Sequence, residues 1–176
     1  MITIRAERPG DEAAVRSVNL AAFETAMEAD LVDALRASAP GYSAYVARDA
    51  DEIVGHVAFT TVTIEGSQAS GMSLAPLAVL PARQRQGIGS RLARHGLEQL
   101  RQAGCPFVVV VGHPAYYPRF GFEPASQFGI GCPWPGIPDD VFLLMVLDAA
   151  GLPRTGGMAR FASAFDAVEE STAPAR

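Results

Sequence analysis

Two apolar runs separated by one amphipathic helical pattern constrain the fold of this chain most. Residues 72–79 and 107–111 are almost wholly apolar, as expected of strands that are covered on both faces. Between them, apolar or small residues recur at helical spacing over about 87–103, and Gly104 follows as a C-cap. This strand–helix–strand order predicts an α/β fold. Since proline cannot donate to a sheet ladder, Pro76 inside the first run predicts either a bulge or an edge position.

Shorter patterns predict the elements on either side of this unit. They are a strand at 2–5, helices over about 11–23 and 27–38, a hairpin of strands 42–47 and 53–64, and a buried strand at 141–147. The apolar phase of the second hairpin strand slips by one residue near Thr60 and Thr61, which predicts a bulge there. We expect one domain over residues 1–165 and a flexible C-terminal tail over 166–176.

The composition argues against several classes of partner. The 176 residues include 14 arginines, no lysine and 19 acidic residues, for a net charge of −5. An acidic chain without a basic run binds a phosphate backbone poorly, so we expect no nucleic acid partner. Cys105 and Cys132 form no CxxC pair and have no histidine beside them, so we expect no metal. The N-terminus lacks the apolar core of a signal peptide, and no apolar run is long enough to span a membrane. We therefore expect a cytoplasmic protein that does not bind membranes.

The turn at residues 79–90 is the segment most informative about function. It lies between a predicted strand and the start of a long helix, where free backbone N–H groups and the helix dipole favour an anion. Gly87 and Gly89 would let a phosphate approach the backbone closely, and Arg83 and Arg85 add positive charge. The spacing fits neither the P-loop nor the Rossmann fingerprint. Glycines chosen only for packing in an ordinary strand-to-helix turn are the alternative.

Two motifs in this part of the chain resemble those of the GNAT acetyltransferases, and of their YhbS-like branch in particular. QxxGxG at 84–89 is similar to the acetyl-CoA pyrophosphate loop of that family, and YxxxGF at 117–122 is similar to the element after its fifth strand. The resemblance implies the GNAT acyl-CoA acyltransferase fold, an α/β fold with a mixed central sheet flanked by helices. It also implies acetyl-CoA as the acyl donor and an amine as the acceptor. We leave open whether the chain is a monomer or a homodimer.

The same resemblance implies which residues bind the donor. Backbone groups of the fourth strand would pair with the pantetheine arm, and that strand would splay from the fifth to open the thioester site. The residues implied for the strand are Leu77, Ala78 and Val79. Those implied for the pyrophosphate are Gln84, Arg85, Gln86, Gly87, Ile88, Gly89 and Ser90.

The reaction implied is attack by a neutral amine on a thioester. The leaving thiolate needs a proton from an acid of comparable pKa, and tyrosine suits that role. By family position the acid is Tyr117, although a tyrosine of the core that donates to backbone is the alternative. We expect its neighbour Tyr116 to contribute to substrate binding by lining the pocket.

The group that accepts the amine proton is harder to identify. Some family members have a glutamate on the fourth strand, but residues 72–79 contain no carboxylate. The candidates are His113, His56, Glu24, Glu28 or a chain of water molecules. His113 is the favoured histidine because it is close in sequence to Tyr117. We also consider Glu28 a candidate for binding a cationic acceptor.

Two functions from different classes fit these features. The first is an acetyl-CoA-dependent N-acetyltransferase that works by direct transfer in a ternary complex, since no cysteine lies in the loop motif to form an acyl-enzyme. The second is a non-catalytic acyl-CoA-binding domain with a regulatory or docking role. The phosphate loop together with Tyr117 favours the enzyme, and the missing strand carboxylate is the argument for the binding domain.

Overall fold

A mixed β-sheet organises residues 1–167, the part of the chain that this computed structural model describes. Its order is β1-β2-β3-β4-β5-β8-β6, and β9 pairs with β3 and β7. Along this path β4 and β5 are parallel, and the other neighbours are antiparallel. The strands are β1 Ile2–Ala6, β2 Ser43–Asp49, β3 Glu52–Ile64, β4 Ser70–Val79, β5 Phe107–Val111, β6 Glu123–Pro124, β7 Ile130–Gly131, β8 Phe142–Val146 and β9 Gly157–Arg160.

Helices cover both faces of this sheet, which confirms the predicted fold class. They are α1 Glu12–Ala22, α2 Met27–Ser38 and α3 Ile88–Gln102, with short 3₁₀ turns at Pro81–Arg83, Tyr117–Phe120, Ala125–Phe128, Ala149–Gly151 and Ser163–Phe165. The α1–α2 pair packs through Val15, Val18 and Val32 onto Val46 and Ala78. α3 packs on the opposite face, since its core cluster includes Leu77 and Val79, the sheet neighbours of Ala78.

The predicted apolar stripe of α3 is buried. Ile88, Leu92, Gly96 and Leu100 all lie in the interior. At Gly96 a Cβ would collide with the Phe59 ring, so glycine there lets the helix lie close to β3. This close packing fixes the N-terminus of α3 at the carboxyl end of β4.

A bulge separates β4 into two parts. Val57 pairs with Leu77 and Phe59 pairs with Leu74, so Ala75 and Pro76 stand opposite the single residue between them on β3. The bulge predicted from Pro76 is therefore confirmed. It interrupts the regular ladder at Pro76, so the N–H that proline lacks is not needed there.

The bulge predicted near Thr60 and Thr61 was wrong in position. Both residues pair regularly, with Ser73 and Met72, and the register shift on β3 lies at Ala58. The slip in apolar phase misled the prediction because β3 is buried on both faces from Ile53 to Thr60, so alternation there does not report which face a side chain occupies.

The segment after β5 contains short elements that the sequence did not predict. β6, β7 and β9 have two to four residues each. They pack beside the long strands, and β8 fills the position predicted at 141–147. The predicted tail falls almost wholly on residues 168–176, which lie outside the described residues.

Candidate functional site

The N-terminus of α3 presents an unbroken row of free backbone donors. The amides of residues 85–90 donate to no group among the described residues, and the first amide bonded at this end is that of Arg91, to the Gly87 carbonyl. Gly87 is the N-cap in the left-handed region, with φ 79°, and no side chain caps the helix. Four of these N–H groups, those of residues 87–90, lie at the positive end of the helix dipole, an arrangement that can bind an anion.

Side chains of the loop support its backbone. Gln84 Nε2 donates to the Val79 carbonyl at 3.1 Å, and Gln86 Nε2 donates to the Ala82 carbonyl at 3.2 Å. Ile88 is buried in the core. The side chains of Gln84, Gln86 and Ile88 thus hold the turn, and the backbone N–H of Gln84 donates to the Pro81 carbonyl at 3.3 Å.

The two arginines of the loop have different surroundings. Arg83 is paired with Asp49, so its charge is already neutralised. Arg85 is exposed, has a left-handed φ of 59° and has no carboxylate partner among the described residues. Of the two, Arg85 is the one whose charge is available to an anion.

The first turn of α3 is packed against β4 and a tyrosine. A Cβ on Gly89 would lie 3.6 Å from Val79 Cγ2, 3.9 Å from Leu77 Cδ2 and 3.1 Å from the Tyr116 hydroxyl oxygen. The same hydroxyl is 3.4 Å from Ser90 Oγ. Tyr116, which the sequence assigned to the acceptor pocket, therefore lies beside the anion site.

One edge of β4 is open beyond the bulge. β4 and β5 pair only at Met72 with Val108 and at Ser73 with Val109. Leu77, Ala78 and Val79 pair with β3 on their other side. The backbone groups of Leu77 and Val79 thus face a gap between the strands, as the predicted splay requires, and this gap leads to the N-terminus of α3.

Tyr117 lies in the 3₁₀ turn Tyr117–Phe120 with its ring buried. The ring packs against the rings of Tyr116 at 5.1 Å and Phe122 at 5.6 Å between centroids, and it occupies the space that a Cβ on Gly112 would need. Burial raises the pKa of the Tyr117 phenol, and the neighbouring Tyr116 adds to the shift. The phenol therefore remains protonated at neutral pH, the state in which it can donate a proton.

His113 precedes this turn and is exposed. Its Nδ1 accepts a hydrogen bond from the Ala115 amide at 3.2 Å, and its carbonyl accepts from the Tyr116 amide at 2.9 Å. The Nδ1 of His113 is thus hydrogen-bonded within the turn that precedes Tyr117.

His56 belongs to a buried polar cluster away from the open edge of β4. Asn19 donates to its Nδ1 at 3.3 Å, and its Nε2 lies 3.3 Å from Glu7 Oε2. Burial lowers the pKa of His56. Glu7 also accepts from Arg36 Nε at 2.6 Å and from the Tyr42 hydroxyl at 2.9 Å. His56 is thus enclosed in the interior, with Nδ1 bonded to Asn19 and Nε2 near Glu7 but without a hydrogen bond of good geometry.

Glu28 has a carboxylate oxygen that is buried without a partner. Its Oε2 makes no hydrogen bond to any described residue. Glu28 lies one turn before Leu31 on the same face of α2, and Leu31 packs in the cluster that includes Ala75 of the bulge. Glu24, by contrast, is exposed ahead of α2. Of the two carboxylates, Glu28 is the one with a buried, unsatisfied acceptor.

The structure also brings forward residues that the sequence did not single out. Arg119 stacks on the Tyr116 ring with its Cζ 4.5 Å from the centroid, and Arg94 stacks on Phe120 at 5.4 Å. Arg94 lies on α3 and Arg119 lies 25 positions later, so no local pattern joins them. The one available signal was charge, because residues 66–122 contain six arginines and a single acidic residue.

Residues 1–167 lack two features that would point to other functions. None of the helices there is both long enough and apolar enough to cross a membrane. No group of three or more His, Cys, Asp and Glu side chains in this part of the chain is arranged to hold a metal ion.

Comparison with known proteins shows which family this chain resembles. The model of the acetyltransferase (GNAT) family matches residues 12–122. The Escherichia coli K12 protein named uncharacterized N-acetyltransferase YjhQ is 41% identical over 155 residues, which is 83% of this chain and 84% of the relative.

Two solved structures share the fold over nearly the whole chain. Escherichia coli YhbS in complex with CoA has a TM-score of 0.87 at 33% identity, over 94% of this chain and 92% of that one. A GNAT family acetyltransferase from Brucella melitensis in complex with acetyl-CoA has a TM-score of 0.77 at 36% identity, over 94% and 99%. The fold class and the resemblance to the YhbS-like branch are both confirmed.

Proposed function

The chain belongs to the GNAT acetyltransferase family, and from this premise we propose that it transfers the acetyl group of acetyl-CoA to a primary amine of a small molecule or protein. The main support is the row of free amides at residues 85–90, placed where the open edge of β4 ends. A pyrophosphate on the amides and an extended pantetheine arm along the edge match these two features in charge and shape. The CoA and acetyl-CoA complexes of the two structural relatives add to this support.

The open edge of β4 would orient the donor. Leu77 and Val79 direct their backbone groups to the side that faces β5, where β5 does not pair with them, and of these the Val79 carbonyl already accepts from Gln84 Nε2; Ala78 directs its backbone groups to β3. Pairing with the amide groups of an extended arm would satisfy the free groups and fix the thioester near the bulge at Ala75 and Pro76. Holding both substrates at one point supplies much of the rate in such a transfer.

Acetyl-CoA supplies a thioester whose carbonyl carbon is attacked by the amine and whose thiolate leaves. As the C–N bond forms and the C–S bond breaks, Tyr117 gives its phenol proton to the sulfur and later regains one from solvent. Burial raises the pKa of Tyr117, so the phenol is protonated at neutral pH but is a weaker acid than a free phenol. We assign the role of general acid to Tyr117 on its position beside Tyr116, whose hydroxyl reaches the first turn of α3 at Ser90.

On the acceptor side we assign recognition of the ammonium form to Glu28. Its buried, unpartnered oxygen on α2 can accept a hydrogen bond from a cationic nitrogen. The amine proton then passes to water, because His56 is buried beside Asn19 and Glu7 and the Nδ1 of His113 accepts from the Ala115 amide. The transfer is direct, since the loop motif contains no cysteine to hold an acyl group.

The experiment is a panel of primary amines with acetyl-CoA and the full chain, with thiol release measured and hydrolysis subtracted. We expect turnover of at least one amine above the hydrolysis rate. In Glu28→Gln the KM for that amine should rise roughly tenfold, with the Kd for acetyl-CoA unchanged. Glu98→Gln on α3 is the matched control and should behave as wild type.

Two results would contradict the proposal in different ways. Tight binding of acetyl-CoA in calorimetry without turnover of any amine would identify an acyl-CoA-binding domain instead of a transferase. Absence of acetyl-CoA binding would contradict both the proposed donor and the proposed reaction.

A further inference from the structure

The charges of this acidic protein are divided between two parts of the chain. Residues 66–122 contain six arginines and one carboxylate, Glu98, whereas the remaining residues contain eight arginines and eighteen carboxylates. The cationic part includes β4, α3, β5 and the turn Tyr117–Phe120. A local excess of positive charge within a net negative chain suits a small, strongly anionic ligand better than a long polyanion, which the rest of the surface would repel.

Most of these arginines have no carboxylate to neutralise them. Arg83 pairs with Asp49, and Arg101 pairs with Glu98. Among the described residues, no carboxylate lies within ion-pair distance of Arg85, Arg91, Arg94 and Arg119. The pyrophosphate loop with its amides accounts for Arg85, and Arg91 donates to the Ile2 carbonyl on the β1 side of α3. Arg94 and Arg119 are left without a role.

Arg94 and Arg119 belong to one stacked group. Arg119 lies over the Tyr116 ring at 4.5 Å, Tyr116 contacts Phe120 edge-on at 5.4 Å, and Arg94 lies over Phe120 at 5.4 Å. Stacking on a ring orients a guanidinium and leaves its N–H edges free for another partner. Arg119 uses one donor on the Ala115 carbonyl at 3.4 Å. The group therefore offers two preoriented cations beside two aromatic rings.

This group adjoins the proposed pyrophosphate site. The Tyr116 hydroxyl is 3.4 Å from Ser90 Oγ in the first turn of α3. Arg94 follows Ser90 by four residues, so the two share a helix face about 5–6 Å apart at Cβ.

We propose that Arg94 and Arg119, stacked on Phe120 and Tyr116, bind the 3′-phosphate of the adenosine end of the donor. The inference rests on the proposed function and deepens it. The amides of residues 85–90 satisfy two phosphates, and a third phosphate on the ribose requires cations of its own. Two guanidiniums can bind it through paired N–H donors. The enzyme thereby selects CoA thioesters over thioesters of pantetheine or of a carrier protein, which lack this phosphate.

The test compares two donors that differ only in that phosphate, acetyl-CoA and 3′-dephospho-acetyl-CoA, by calorimetry on the full chain. Wild type should bind the dephospho donor roughly tenfold to hundredfold more weakly, as expected for loss of charge-assisted hydrogen bonds. The double variant Arg94→Gln with Arg119→Gln should raise the Kd for acetyl-CoA by a similar factor and leave the Kd for the dephospho donor unchanged. Arg101→Gln on the same helix is the matched control, and neither Kd should move.

Each contrary result has one meaning. Equal binding of the two donors by wild type would overturn the 3′-phosphate site and leave the proposed function intact. An equal rise in the Kd for both donors in the double variant would also overturn it, because the arginines would then contact a part of the ligand that both donors share. Failure of wild type to bind either donor would contradict the proposed function, and this inference would then be wrong as well.

Discussion

At the scale of single residues, the adjacent tyrosines 116 and 117 have separable roles. Tyr117 is buried with a raised pKa, and Tyr116 extends its hydroxyl to Ser90. Tyr117→Phe keeps the ring packing and removes only the acidic hydroxyl. We expect the rate of acetyl transfer to fall by about 10²-fold, the lower range for loss of a general acid, with little change in the Kd for acetyl-CoA. Single-turnover kinetics and calorimetry on the same preparation measure the two quantities.

Tyr116→Phe is the matched control because it removes a hydroxyl one residue away. Its effect should fall on the Kd for acetyl-CoA and leave the rate of transfer near wild type. If instead Tyr116→Phe slows transfer and Tyr117→Phe does not, the two assignments are exchanged.

At the scale of elements, the N-terminus of α3 can be tested by placing a negative charge on it. Gly89→Glu puts a carboxylate in the first turn and a Cβ 3.1 Å from the Tyr116 hydroxyl oxygen. We expect acetyl-CoA binding to be lost, because the carboxylate competes for the same amides and repels phosphate. The helix itself should remain folded, since an acidic residue in the first turn interacts favourably with its dipole. Thermal melting with and without acetyl-CoA, together with calorimetry, separates these effects.

The control for this change is a carboxylate at the same helical position elsewhere. Ala13 is exposed and is the second residue of α1, as Gly89 is of α3. Ala13→Glu should leave the affinity for acetyl-CoA unchanged. Retained affinity in Gly89→Glu would show that the pyrophosphate binds elsewhere.

The elements also show which parts of the fold and site were predictable. α3, its C-cap at Gly104 and the bulge at Pro76 depend on local chemistry, namely helical period, a left-handed glycine and a missing N–H. β9 pairs with β3 through Thr63 and Arg160, nearly a hundred residues apart, so nothing local marks it. The loop amides were predictable for the same reason as α3. Arg94 and Arg119 were not, because their shared role depends on a tertiary contact.

At the scale of the whole molecule, the sheet separates regions of opposite charge. α1 and α2 lie on one face of the sheet and contain four carboxylates, of which Asp30 and Asp33 are paired with Arg16. α3, on the other face, contains three arginines and one carboxylate. An anionic donor and a cationic acceptor would thus approach from surfaces that attract them, which favours encounter of both with the same cleft.

This division predicts how salt affects the choice of acceptor. With acetyl-CoA saturating, a diamine should have a higher kcat/KM at low salt than a monoamine of equal length, because its second charge is attracted to the carboxylates of α1 and α2. Raising the ionic strength from about 0.1 M to 1 M shortens the screening length from about 10 Å to about 3 Å, so the advantage of the diamine should shrink several-fold. Glu28→Gln should reduce the advantage at low salt, and Glu98→Gln should not. Equal salt slopes for the two amines would mean that the acidic face does not attract the acceptor, and the preference would then depend on contacts inside the cleft alone.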